Sequence, residues 1–466
     1  MDTDRSGREP NLNSNTLPAT VPVAEERLDS GTKTLFACVA FSLAAHIGQA
    51  PNALAALVGL FVIAVGAVGG HRVGRRSRTW LLTLGGFLTI LAVAVPTYDF
   101  FPHPSPIYFL VLGAVQLAAL AVVALSKTLN RIVAAIVCVV LVAATAAVGS
   151  FVLRETEGVG FDVYHLHRAA AQALAEGRSP YGEAVTVEDG SFEAEPGAVI
   201  VGYPYPPAMA VLYAPAAWLT GEPRWTNLIA WLASLTTLMF LAVRTLNKYR
   251  LLIAILLASI PAWTFVVQAS WTEMATLALV VVATVSWARF PILAPVALGL
   301  AVASKQYFLV ALPLLLLHPL VRGKRAMLVL FVAAATLIPF VILDPIHLWQ
   351  SIVAFHVNTP PRTNSANLVG LFASTGIVWH PPVLIVVVVP ALVAAWAALR
   401  SRRLSGFAVG LAVTLGTFFM LSSQAFSNYW FLVAGLCGLS AYLEEFSDVE
   451  SAETAYLGPG IRPMDL

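Results

Sequence analysis

An aspartate and two histidines stand close together in 160-GFDVYHLHRAAAQALAEGRSPYG-182, inside a chain otherwise dominated by Leu, Val and Ala. A carboxylate beside imidazoles can move a proton, cap a helix or hold a metal ion. As a general base, Asp162 would take a proton from a hydroxyl nucleophile. As a helix N-cap it would only accept a hydrogen bond from a backbone N–H. Asp162, His165 and His167 could ligate a metal, but one short cluster lacks a fourth ligand. Further polar groups interrupt apolar runs elsewhere. Ser304-Lys305-Gln306 separates 290–304 from 307–320, and Glu273 closes Ser270-Trp271-Thr272-Glu273. His347, His356, Arg362 and Asn364 fall within 345–381, around Pro360-Pro361, and Asp99 and His103 precede a fourth apolar run. Lys305 could snorkel to lipid headgroups, or its compact ammonium could hold an anionic lipid phosphate.

The elements that must position these groups are membrane spans. The 466 residues are 58% hydrophobic and only 11% charged, whereas a soluble domain carries about a quarter charged residues. The net charge of +2 names no partner, and nothing points to nucleic acid. Apolar runs at 34–50, 52–70, 79–97, 106–126, 131–153, 224–243, 250–268, 272–288, 290–304, 307–320, 325–344, 382–399, 405–421 and 426–443 are candidate spans. They predict an all-α polytopic bundle of about 12–14 transmembrane helices. The three cysteines, Cys38, Cys138 and Cys437, all lie in apolar runs and read as small packing residues.

Lys and Arg set the orientation. The clusters Arg72/Arg75/Arg76/Arg78, Lys127/Arg131, Arg244/Lys248/Arg250, Arg322/Lys324/Arg325 and Arg400/Arg402/Arg403 all fall on the cytoplasmic side if both termini are cytoplasmic and 206–220 does not cross. The run 206–220, opened by Pro206-Pro207, therefore reads as re-entrant or interfacial. The segments 154–205 and 345–381 become large extracytoplasmic loops, the first holding nine acidic residues against three arginines. Asp162 to Ala175 predicts a helix with Val163, Leu166, Ala170 and Ala173 on one apolar stripe, suited to lying on a membrane surface. The expected organisation is a disordered cytoplasmic tail 1–33, a four-helix N-terminal extension 34–130, a main transmembrane region 131–443, and a polar cytoplasmic tail 444–466. The Asp-Thr-Asp at 2–4 resembles a soluble sugar-transferase metal signature, but it stands in the terminal tail. Together these groups suggest a cavity at the outer leaflet bearing a carboxylate, imidazoles and cations.

Asp162 with a tyrosine two residues on, the Ala-rich helix, Gly177-Arg178-Ser179-Pro180-Tyr181 and then 203-YPYPP-207 resemble the GT-C glycosyltransferases of family 87, which include actinobacterial polyprenyl-phosphate-mannose-dependent mannosyltransferases. Also similar are 305-KQYFLVALPLLLL-317, 364-NSANLVGLF-372 and 425-AFSNYWFL-432, so the likeness spans roughly 131–443. The resemblance implies a GT-C-type bundle at the plasma membrane with its active site outward. It implies a polyprenyl-phosphate sugar donor, with mannose as the sugar, and an envelope glycolipid or polysaccharide acceptor. Asp162 would be the catalytic base of an inverting displacement. Lys305, Arg362 and His356 would bind the donor phosphate, and His165, Tyr205, Asn364 and Glu273 would line the acceptor or sugar pocket. No cofactor is called for with certainty, no metal ligand set is assigned, and a divalent cation stays open. The Asp-Glu pair of protein O-mannosyltransferases is missing, since Phe161 and Val163 flank Asp162. A polyprenyl-phosphate-arabinose donor is an alternative. A lipid or glycolipid transporter and a non-catalytic membrane partner are the rivals outside enzyme chemistry, but the ionisable residues gather at span ends rather than mid-bilayer.

Overall fold

A computed structural model of the chain describes residues 37, 39–40, 106–156, 161–187, 198–362 and 364–457. The expected tail 1–33, most of the expected span 34–50, the spans 52–70 and 79–97, and Asp99 and His103 lie outside the described residues. Helices α1 (Pro106–Leu125) and α2 (Arg131–Glu155) come first. A loop layer follows: α3 (Asp162–Ala175), a 3-10 turn (Pro180–Gly182), strands β1 (Ala184–Val187) and β2 (Ala198–Val201), and α4 (Pro207–Thr220). The bundle continues with α5 (Trp225–Thr245), α6 (Lys248–Ala258), α7 (Trp263–Gln268), α8 (Glu273–Ser286), α9 (Leu293–Val302), a 3-10 turn (Gln306–Ala311) and α10 (Leu312–Leu317). Then come α11 (Lys324–Leu343), α12 (Pro345–Trp349), a π turn (Gln350–Ala354), α13 (Phe355–Asn358), α14 (Leu368–Ser374), α15 (Val383–Arg400), α16 (Leu404–Leu421) and α17 (Ser427–Leu457).

Six of the described helices, α1, α2, α5, α11, α15 and α16, are long and apolar enough to cross a membrane. The chain is an all-α multi-pass membrane protein. Several expected spans prove shorter than a bilayer. The run 250–268 breaks between α6 and α7 around Pro261, which has no N–H to continue the ladder. Backbone breaks at membrane depth are tolerated where protein surrounds them, and Leu251 through Ala258 of α6 are buried. Helix α4 has 14 residues, a rise of about 21 Å against a hydrocarbon core of about 30 Å, so it cannot cross alone.

The bundle has two distinct ends. Lys248 Nζ donates to the carbonyls of Ala124 and Ser126, Asn247 Nδ2 to Glu445, and Arg403 pairs with Glu444 at 2.8 Å. Arg325 lies over the Trp287 ring, 5.0 Å from its centroid, just past the end of α8. Four basic clusters therefore gather at the ends of α1, α5, α8 and α15. The segment from Glu444, expected as a polar tail, continues α17 to Leu457, its first carboxylate tied to Arg403 and Ser405. Helices α5, α8 and α17 begin at the opposite end, where the loop layer has its own small core of Leu166, Ala170, Tyr181, Tyr203, Met209 and Tyr213, reaching Phe340 and Leu348.

One hairpin breaks the helical pattern. Strands β1 and β2 pair antiparallel with Ala184 opposite Val201. The β-branched clusters 185-VTV-187 and 199-VIV-201 are the sequence signal for it.

Candidate functional site

Helix α3 covers the expected Asp162–Ala175, but the N-cap reading of Asp162 does not hold. Phe161, not Asp162, occupies the N-cap position and makes no side-chain cap. Its ring is anchored edge-on between Phe265 at 5.8 Å and Trp271 at 6.1 Å. Asp162 becomes the first helical residue, half-buried, with Oδ1 accepting from Val163 N at 2.7 Å. A carboxylate there meets the positive end of the helix dipole. His165 lies three residues on and shares its face, whereas His167 is five residues on and points into the core.

His167 is 1% exposed. Its Nε2 donates to the Ser270 carbonyl at 3.2 Å, so Nδ1 accepts from the Tyr203 hydroxyl at 2.9 Å. Its ring stacks on Tyr213 with centroids 3.7 Å apart. Burial, reinforced by the positive charge of Lys305, pushes this imidazole down to about 3 against the pull of the Ser270 carbonyl, so it stays neutral. Ser270 holds left-handed backbone, φ +60, an uncommon state for a residue with a Cβ, and that turn aims its carbonyl at His167. With both ring nitrogens engaged, His167 has no lone pair to give a metal. Among the described residues no group of three or more His, Cys, Asp or Glu could hold one.

The motif 203-YPYPP-207 is the hub. Prolines 204 and 206 hold it extended and Pro207 opens α4 at its first position. The Pro204 carbonyl accepts from Gln306 Nε2 and from His356 Nε2, each at 3.0 Å. Burial, with Lys305 nearby, lowers the His356 imidazole below its ordinary value. Gly202 takes φ +85, and a Cβ there would collide with Ser351 Oγ. That close approach lets the π turn dock on the hub, Ser351 donating to the Tyr181 carbonyl at 3.3 Å.

Beside the hub lies a buried ion pair. Lys305 Nζ is 2.9 Å from Glu273 Oε1, with the two side chains 4% and 0% exposed. Glu273 Oε2 accepts from Asn428 Nδ2 at 2.7 Å. The ammonium lies 4.2 Å from the Tyr205 ring centroid, with Tyr307 at 5.8 Å and Tyr429 at 5.9 Å. These groups come from the first turn of α8, the break before the 3-10 turn and the first turn of α17. Beside the pair the buried Tyr307 OH and Asn428 Oδ1, and in the turn before α8 the buried Ser270 Oγ and Thr272 Oγ1, have no hydrogen-bond partner among the described residues, whereas buried polar groups are normally paired.

The segment after α13 is stitched to the start of α17. Arg362 N donates to the Ser423 carbonyl at 2.9 Å, Ala366 N to that of Ala425 at 2.8 Å, and Trp430 Nε1 to that of Ala366 at 2.9 Å. The Arg362 guanidinium faces the Phe426 ring at 5.8 Å. Asn364 is exposed; the anchoring amide of 364-NSANLVGLF-372 is Asn367, which caps α14 at Gly370 N and donates to the Ser422 carbonyl at 2.8 Å. His347 pairs with Asp344 at the surface, 2.7 Å away.

Glu273, Lys305, Tyr205 and His356 thus converge on one hub, and Asp162 and His165 head the helix whose His167 is bonded into it. Sequence reasoning missed the structural part of Tyr203, Gln306 and Asn428, although all three lie in the quoted motifs. It also missed Arg224, whose buried guanidinium pairs with Glu222 at 2.7 Å, closes the end of α2 on the Thr156 and Leu153 carbonyls and faces the Tyr164 ring of α3 at 5.1 Å.

The model of glycosyltransferase family 87 matches residues 203–423, from the first tyrosine of the hub to the serine that receives Arg362. This stretch is similar to the glycosyltransferases of family 87. The matched stretch takes in Tyr205, Glu273, Lys305, His356, Arg362 and Asn364, while Asp162, His165, His167 and Asn428 lie outside it. No curated protein and no solved structure gives a significant match to the chain.

Proposed function

We propose that the protein transfers a sugar, mannose in the first instance, from a polyprenyl-phosphate donor to an envelope lipid or glycan acceptor on the extracytoplasmic face of the plasma membrane. The observation that carries this reading is the buried Lys305 beside the 203-YPYPP-207 hub, in a stretch matching a glycosyltransferase family. A buried cation in a water-poor site suits a developing phosphate charge better than one in bulk solvent. By the positive-inside rule the four basic clusters at the far end of the bundle would lie in the cytoplasm, which supports reading the hub as extracytoplasmic.

In the reaction, Asp162 takes the proton of the acceptor hydroxyl. The freed oxygen bonds to the anomeric carbon while the bond from that carbon to the phosphate oxygen breaks. Its electron pair leaves with the lipid phosphate, and the configuration inverts. Lys305, Arg362 and the Nε2–H of His356 are the phosphate-side groups. His165, Tyr205 and Asn364 are assigned to the acceptor and sugar side, whereas Glu273, expected there, stands beside Lys305 on the phosphate side.

The test uses membranes holding the native chain or its Asp162→Asn variant, matched for expression, with labelled polyprenyl-phosphate-mannose and an envelope glycolipid extract. Transfer by the native chain alone supports the assignment. Equal transfer by both removes Asp162 from the mechanism. Transfer by neither turns the assay to polyprenyl-phosphate-arabinose, and failure there favours transport.

A further inference from the structure

Glu273 poses a question that phosphate binding by Lys305 does not answer. A bare cation would hold an anion more strongly, yet the protein places a carboxylate 2.9 Å from this ammonium and fixes its other oxygen with Asn428. Every contact is buried, and Glu273 is fully enclosed. The pair is therefore close to neutral, and a second negative charge arriving beside it loses its hydration without gaining a net positive partner in a medium of low effective dielectric.

The donor and the spent carrier of the proposed reaction differ in just this respect. A sugar-bearing polyprenyl phosphate is a phosphodiester with one negative charge. The polyprenyl phosphate left behind is a monoester carrying a second charge above its second pKa of about 6. We propose that Glu273 makes the site select by charge, accepting the singly charged diester and expelling the doubly charged monoester, so that it governs product release. Asn428, bonded to Glu273, and Tyr307, its ring 5.8 Å from the ammonium, carry an unpartnered Oδ1 and OH and offer neutral polar contacts to a phosphate without adding charge. The inference rests on the reading of Lys305 as the phosphate site.

The experiment measures binding of a polyprenyl phosphate and of its methyl diester to the purified full-length protein in detergent at pH 7.5. Native protein prefers the diester. In Glu273→Gln, which keeps the volume and the Asn428 contact, the monoester gains about tenfold relative to the diester. A measurement that needs no variant runs alongside. On the native protein, lowering the pH to 5.5 gives the monoester a single charge and closes the gap, and the diester serves as control for protonation of His356. A diester preference that persists unchanged in both arms overturns the proposal. The double variant Lys305→Met/Glu273→Gln, which leaves no lone buried charge, separates the two readings. Loss of both ligands keeps Lys305 as the phosphate site whatever Glu273 does, and native affinity for both removes the phosphate reading and this inference with it.

Discussion

The Tyr203 hydroxyl donates to His167 Nδ1 at 2.9 Å while the opposite ring nitrogen donates to the Ser270 carbonyl, so one neutral imidazole ties the hub to the first loop helix and to the turn before α8. The folded protein refuses a proton on His167 until about pH 3, whereas an unfolded histidine takes one near pH 6.5. Stability is then complete above about pH 6.5 and falls as pH drops towards 3, because the unfolded chain alone gains the proton in that window. The thermal unfolding midpoint in detergent, followed from pH 7.5 to 5, is expected to decline. His167→Phe is expected to flatten that decline while lowering the plateau.

Asp162→Asn is expected to reduce sugar transfer by about 10²–10⁴-fold, the usual worth of a general base. The substitution leaves the unfolding midpoint near native, because Asp162 is no cap and Phe161 anchors the helix start. An initial-rate assay with a midpoint measured on the same preparation separates the two effects.

Lys305→Met alone strands Glu273 as an uncompensated buried carboxylate, which costs roughly 3–5 kcal/mol. Adding Glu273→Gln is expected to recover much of that loss, since removing both partners of a buried pair is often close to neutral. A double-mutant cycle on equilibrium unfolding reads the coupling directly.

Arg224→Ala opens the contact between the end of α2, the start of α5 and Tyr164. It removes a guanidinium that donates to two carbonyls and leaves Glu222 without its partner. A loss of about 2–4 kcal/mol is expected. Faster amide exchange in α3 and at the end of α2 checks that the damage is local.

Much of this architecture is legible in the chain because membrane spans are written in local composition. The expected 106–126, 131–153 and 405–421 coincide with α1, α2 and α16 to within about two residues, and 206–220 announces itself as too short. The ion pair is a different matter. Glu273 and Asn428 are 155 residues apart, and nothing local at either end signals the partner. Asp162 reads as an N-cap because Asp is an intrinsically good cap; Phe161 takes that position instead, its ring packed edge-on against Phe265 and Trp271. A metal role for His167 is only a weak alternative in the sequence, and its hydrogen bonds to Tyr203 and Ser270 are not legible there at all. The segment from Glu444 reads as a polar tail, and its continuation of α17 and the pairing of Glu444 with Arg403 are not signalled locally.

The place of Asn428 on α17, the last described helix, has a consequence for how the protein is made. A chain emerging from the ribosome carries Asp162, the hub, Glu273 and Lys305 into the bilayer long before Asn428, and the 362–367 segment waits for Ser423, Ala425 and Trp430 to receive it. Every nascent intermediate short of α17 is a membrane bundle with an unfinished centre. Catalytic competence becomes a report on complete synthesis, and a chain cut short before Ala425 is expected to insert without transferring sugar.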